Sequence, residues 1–221
     1  MAKSYLYEKS TGQFRDRSTG RFVTLDVVEN AIDTEVLTLQ NKLGAIALDY
    51  TEGRTDIPTF QTRMAEAIKD SHLRVGAIAS GGIRRLNQKH FGAIGGRLSN
   101  EYVNYLYKFG TDLSSNDYSP EYIIWRAKLY ARSPRQSFNL LRKLTLTQDG
   151  EFEGWRTLSD AIHCKSCPNY VTNGWVDLNT IVAIGAKCEC RGNCKCRIRV
   201  RPKISQKSKV KGHKGALPRR M

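Results

Sequence analysis

His163 to Cys196, HCKSCPNYVTNGWVDLNTIVAIGAKCECRGNCKC, holds all six cysteines of this 221-residue chain: Cys164, Cys167, Cys188, Cys190, Cys194 and Cys196. None occurs earlier, so cysteine is not serving here as an ordinary small core residue. The stretch divides the chain into a helix-patterned body before it and a cationic tail after it.

The spacing points to a metal. Cys164-x-x-Cys167 is the pair that lets two thiolates on a tight turn face one ion, and zinc takes four such ligands tetrahedrally. Cys190-Arg-Gly-Asn-Cys194 is the best second half, because Gly192 and Asn193 tolerate left-handed turn geometry. Cys188/Cys190 and Cys194/Cys196 are each separated by one residue; the members of each pair are expected to face opposite sides of an extended strand, so those four thiols are not expected to converge on one ion. The expected ligands are therefore Cys164, Cys167, Cys190 and Cys194, with Cys188 and Cys196 as alternates and His163 beside the site. An all-cysteine site is closed, so the zinc is expected to be structural rather than catalytic. The rival is a set of disulfides. The opening Met-Ala-Lys-Ser-Tyr has no apolar leader, and a chain of this length can build a core without covalent staples.

The charge is concentrated at one end. Of a net +15, ten cations lie between Arg197 and Met221 with no acidic residue among them: Arg197, Arg199, Arg201, Lys203, Lys207, Lys209, Lys211, Lys214, Arg219 and Arg220. Such a segment is expected to meet DNA or an acidic protein surface by counterion release. No run of apolar residues approaches the 18 or so that a membrane-spanning helix needs.

Residues 1–23 read as an extended arm with an internal echo, Ser10-Thr-Gly-Gln-Phe14 and Ser18-Thr-Gly-Arg-Phe22. Each is a turn followed by an aromatic, and Phe14 and Phe22 are the candidates for anchoring the arm to a partner or to the body. From Thr24, a suitable N-cap, Leu25, Val28, Ile32, Val36, Leu39, Leu43 and Ile46 recur at helical steps to about Tyr50. Asp56 and Pro58 open a second helix that Gly81-Gly82 breaks. A third runs from about Asn87 to Leu113, where Gly92, Gly95 and Gly96 either admit a neighbouring helix or weaken the turn. Ser119-Pro120 opens a fourth, and Ser133-Pro134 restarts it. The expected architecture is mainly α, with four to five helices over residues 24–146. A small Cys-rich module follows over 147–199, with Trp155 and Trp175 expected around the metal turns, and a basic tail over 200–221.

Gly20-Arg21-Phe22-Val23, Cys164-x-x-Cys167, Gly174-Trp175 and Cys190-Arg-Gly-Asn-Cys194-Lys-Cys196 together resemble a group of tailed-bacteriophage and prophage proteins. The closing module is similar to the C-terminal part of the phage head morphogenesis (minor head protein) family. The resemblance covers most of residues 10–199, its specific part is the cysteine module, and Cys188 is a thiol outside the pattern. It implies a virion component, made in the host cytoplasm. Such a component would dock on capsid, portal or neck proteins, with packaged DNA within reach of the tail.

Enzyme signatures are absent: the four histidines form no H-E-x-x-H pair, and no Walker A loop or G-x-S-x-G elbow occurs. Two other classes compete with a particle component. One is a sequence-indifferent nucleic-acid-binding zinc protein, which would need basic residues on one helix face; Arg84, Arg85, Lys89 and Arg97 are the only loose group. The other is a thiol redox switch, which would need cysteines left free by the metal.

Overall fold

The computed structural model describes residues 5–159, 162–190 and 194–203. Six α-helices form the body and two three-stranded sheets flank it. No helix among the described residues is long and apolar enough to cross a membrane.

The N-terminal arm is a small antiparallel meander of β1 (Tyr5–Glu8), β2 (Gln13–Asp16) and β3 (Phe22–Val23), in that order. The two Ser-Thr-Gly echoes are its turns, closed by the bonds Gly12 N–H to Glu8 O and Gly20 N–H to Asp16 O. Both glycines sit at φ 68°, the left-handed region in which a Cβ is penalised. Tyr5, Tyr7 and Phe14 turn inward, and the Tyr7 and Phe14 rings meet edge to face at 4.9 Å. Phe14 is 2% exposed and belongs to the same core as Val28, Ile32 and Phe138. The partner-docking role expected for Phe14 is therefore corrected: the surface it anchors to is the chain's own body. Phe22 is 49% exposed, with the Arg15 guanidinium 3.6 Å from its ring centre.

Helix α1 (Leu25–Thr51) buries Val28, Ile32, Leu39, Leu43 and Ile46 of the expected stripe. Thr24 holds the N-cap position in extended backbone, though its side chain accepts no capping bond. Helix α2 (Ile57–Ser80) returns antiparallel to α1. Asp56 Oδ1 caps it by accepting from Thr59 N–H at 2.9 Å, and Gly81 ends it at φ 81°. A Cβ on Gly81 would lie 2.5 Å from the backbone nitrogen of Tyr7, so this glycine also lets β1 reach the end of α2.

Helix α3 (Gln88–Glu101) passes through a π-helical turn, Tyr102–Leu106, into α4 (Tyr107–Ser115). Its first turn is held by a reciprocal cap, in which Asn87 and His90 each accept from the other's backbone N–H. Gly92, Gly95 and Gly96 face open space. They admit no neighbouring helix and simply weaken these turns. Helix α5 (Pro120–Leu129) leads through a 3-10 turn into α6 (Ser133–Asp149).

The α1–α2 hairpin has two cores. At the end that includes Leu39, Leu43, Phe60 and Met64 it buries Leu106 and Phe109 with α5. At the other, Val28, Ile32, Val75 and Ala79 pack with α6, both sheets and the cysteine segment. The second sheet has the order β5-β4-β6, with β4 (Phe152–Thr157) between β5 (Val176–Asp177) and β6 (Arg197–Pro202). Strand β6 runs on directly from Cys196, so the basic segment begins as a strand paired with β4 from Thr157↔Arg197 to Phe152↔Pro202. A boundary at residue 199/200 would cut that strand.

Candidate metal centre

Strand β4 leads into the first cysteine turn and β6 leaves the last cysteine, so the sheet closes the segment like the neck of a bag. Gly154, in the middle of β4, is where the loop residues Ile181 and Leu178 press closest: a Cβ there would meet Ile181 Cδ1 at 2.6 Å. The first turn is drawn tight by Cys167 N–H donating to Cys164 O at 3.1 Å. Pro168 then starts a 3-10 turn over Cys167–Tyr170. The Tyr170 hydroxyl donates to Lys187 O at 3.1 Å, and Glu189 N–H donates to Ser166 Oγ at 3.1 Å. These two bonds tie the second cysteine loop to the first.

None of the six cysteines is joined in a disulfide in this structure. The sulfurs of Cys164, Cys167, Cys188 and Cys190 lie within 4.8 Å of one another. Individual separations are 3.4 Å for Cys164–Cys167, 3.5 Å for Cys164–Cys190, 3.4 Å for Cys167–Cys190 and 3.3 Å for Cys188–Cys190. Four thiolates about 2.3 Å from a central zinc stand about 3.8 Å apart. The separations given are a few tenths of an ångström shorter than that, and the group could hold a metal ion.

This changes the expected ligand set. Cys164, Cys167 and Cys190 come together as anticipated, with Cys188 as the fourth member of the group, while Cys194 lies beside it, 3.7 Å from Cys167 and within reach of Cys190. The expectation that residues separated by one would part ways fails because positions i and i+2 of an extended chain share a face. Cys194 and Cys196 follow that rule, both buried and in phase with Ile198 of β6. Cys188 and Cys190 lie in a bend and turn that brings their sulfurs together equally well. A second group gathers beside the first: His163, Cys167 and Cys196 also lie within 4.8 Å of one another.

The thiols sense this crowding differently. Burial, and then the neighbouring sulfurs, push the Cys167 thiol far up. Burial is also the first cause of the upward push on Cys190. Cys164 is held down at about 6, chiefly by its hydrogen bond with the Ser166 hydroxyl. A divalent cation amid the sulfurs would favour every thiolate at once, since coordination deprotonates a thiol outright.

Trp155 and Trp175 are not at the metal turns. Their rings meet at 6.0 Å on the face of the sheet opposite Phe152 and Arg156, and the Arg201 guanidinium lies 4.4 Å above Trp175. What fills the small core instead is Arg156, fully buried, which was not singled out in the sequence.

Of the ten tail cations, Arg197, Arg199, Arg201 and Lys203 are described, and three of them are engaged with acids. Arg197 bridges Asp26 and Glu29 of α1, Arg201 bonds Glu153, and Lys203 lies near Glu151 and Asp177. The absence of acids within the segment did not leave these residues unpaired, because their partners come from earlier in the chain. Arg199 is exposed on β6. Lys207, Lys209, Lys211, Lys214, Arg219 and Arg220 lie outside the described residues.

Comparison with protein-family models, with curated proteins and with solved structures found no match.

Proposed function

We propose that the chain is a structural component of a tailed-phage particle, a minor head or neck protein whose C-terminal module is held by zinc. The observation that carries this reading is a set of large aromatic and apolar side chains exposed on the helical body. Val103, Tyr105, Tyr107 and Leu129 line a groove of about 1470 Å³ between α3–α4 and the α5–α6 junction. The π turn puts Tyr102, Val103 and Tyr105 on the surface, 42%, 56% and 43% exposed. At the start of α5, Tyr118 stacks on Tyr122 at 4.8 Å, and Tyr122 meets Trp125, 56% exposed, at 5.8 Å. Exposed aromatic side chains gathered in this way suit a protein–protein contact, and a subunit built to pack against neighbours needs one.

The alternative, a nucleic-acid reader, needs free cations on one helix face. Arg85 is bonded to Asp149 and Tyr7 O, and Arg97 to Gln136, which leaves Arg84 and Lys89 of the loose basic group. The closed thiolate site favours a structural metal over a catalytic one, and its resemblance to the head morphogenesis module supplies the particle setting. The test is mass spectrometry of purified particles, together with the double variant Tyr107→Glu, Trp125→Glu. Presence of the chain in mature particles and loss of the variant from them is the expected result. A chain absent from particles, or a variant incorporated normally, would overturn the reading.

A further inference from the structure

The cysteine segment offers more donors than one ion can use, and the surplus is ordered. Cys194 and Cys196, both 4% exposed, fall outside the four-thiolate group, yet they are held against it rather than turned to solvent. Cys194 Sγ lies 3.7 Å from Cys167 Sγ, and Cys196 Sγ lies 4.0 Å from His163 Nδ1. Cys167, with no exposed surface, belongs to both groups of potential ligands.

His163 is prepared as a ligand. Its Nε2 lies 2.8 Å from the backbone carbonyl oxygen of Ser159, and a carbonyl can only accept, so Nε2 carries the proton. In the neutral ring Nδ1 then has a free lone pair, and Nδ1 is the nitrogen that faces Cys196. Metal-bound histidines are characteristically oriented this way, donating the remote N–H to a carbonyl or carboxylate.

From this we infer that the segment builds a two-metal cluster. Cys164, Cys188 and Cys190 hold one ion, His163, Cys194 and Cys196 hold a second, and the Cys167 thiolate bridges them. Two tetrahedral ions that share one ligand need seven donors, and six cysteines with His163 are seven. A thiolate has lone pairs to spare for two cations, and two ions on one sulfur can stand no further apart than about 4.6 Å, twice the zinc–thiolate bond. The charges also favour the pair. Six thiolates around one divalent ion would carry a net charge of about −4, whereas two ions reduce it to about −2. Lys165, Lys187 and Lys195, exposed and interleaved with the cysteines, offset the remainder. The pairing of the ligands is regular: each ion takes one i, i+2 cysteine pair, one residue of the His163–Cys164 dipeptide, and Cys167.

The inference deepens the structural-zinc reading and rests on it, and the experiment separates the two. Full-length protein, purified without an affinity tag, is analysed for zinc by native mass spectrometry. It is then reloaded with ¹¹³Cd for NMR. Two ions per chain and two ¹¹³Cd resonances, each split by the other through the shared sulfur, is the expected result. One ion per chain overturns the second site while leaving the structural metal standing. Two ions with unsplit resonances overturn the bridge, and no metal at all removes both readings. His163→Ala is expected to lower the stoichiometry from two to one and to collapse the surviving resonance to a singlet. Cys196→Ser gives the same readout should the histidine variant misfold, and two coupled ions in either variant would overturn the ligand assignment.

Discussion

Arg156 Nη1 donates a 2.7 Å hydrogen bond to the carbonyl oxygen of Val182, from a side chain with no exposed surface. The contact links the central strand β4 to the loop between the two halves of the cysteine segment, and the guanidinium lies 5.2 Å from the ring centre of Tyr170. Among the described residues Nε and Nη2 have no hydrogen-bond partner, so this arginine bears an incomplete desolvation cost for one well-aimed bond. Arg156→Ala should lower the unfolding free energy by about 2–4 kcal/mol, a void and an orphaned carbonyl together. Arg156→Met fills the space without a donor and should isolate the carbonyl, about 1–3 kcal/mol. Urea denaturation of both variants checks this, and a Met variant as stable as the parent would mean that Val182 finds another donor.

The two arm phenylalanines should behave oppositely. Phe14 is buried against Tyr5, Tyr7 and the Arg142 guanidinium, so Phe14→Ala should cost about 3–5 kcal/mol. Phe22 loses mainly its contact with Arg15, and Phe22→Ala should stay within about 1 kcal/mol of the parent. Thermal melts of the isolated protein distinguish them. If Phe22 docks on a neighbour, its variant should fold normally and fail only in assembly.

Metal removal should reach the helices. A cysteine module with its own core would unfold alone, but Cys167, Cys188, Cys194 and Cys196 share one buried cluster with Val28, Ile32, Val75 and Leu141 of α1, α2 and α6. Arg142 on α6 adds a direct tie by donating to Ile198 O on β6 at 3.2 Å. Excess chelator should therefore shift one cooperative transition downward by on the order of 10 °C, the loss of a ligand held well above its dissociation constant. Helical circular dichroism reports it. A helical melt unchanged by chelator, with a separate transition for the module, would show two cores.

Most of the helical body was legible because local signals and burial agree there. Asp56 with Pro58, Ser119 with Pro120, and the Val28–Ile46 stripe each mark an element that packing then reinforces. The ligand set was less legible. The close pairs Cys188/Cys190 and Cys194/Cys196 were the signal for it: in extended chain an i, i+2 spacing keeps two sulfurs on one side, as at Cys194 and Cys196, and the turn at Cys188–Cys190 does the same. Once that period is read, Cys188 belongs with Cys190, and Cys196 with Cys194. The strand character of Arg197–Pro202 was hidden by charge: a run of alternating arginines reads as a solvated tail unless its acidic partners, Asp26, Glu29 and Glu153, are known to lie across from it. The burial of Arg156 could not be read either, because nothing local distinguishes a buried arginine from an exposed one.

That pairing also locates any polyanion binding. Arg197, Arg201 and Lys203 are occupied by carboxylates within the chain, so releasing them to phosphate would mean breaking those contacts first. The six cations Lys207, Lys209, Lys211, Lys214, Arg219 and Arg220 follow in a stretch without an acidic residue. If all six neutralise phosphates, the logarithm of the binding constant for duplex DNA should fall with log salt at a slope of about −5. Ending the chain after Lys203 should remove nearly all of that slope and leave the thermal stability unchanged, because β6 and its ion pairs stay intact. The double variant Arg197→Gln, Arg201→Gln should do the reverse, lowering stability and sparing the salt dependence. Fluorescence anisotropy with a labelled duplex between 50 and 200 mM salt provides the slopes. A truncated protein that keeps the full slope would place the contact on the folded body, with Arg199, exposed on β6, as the first residue to replace.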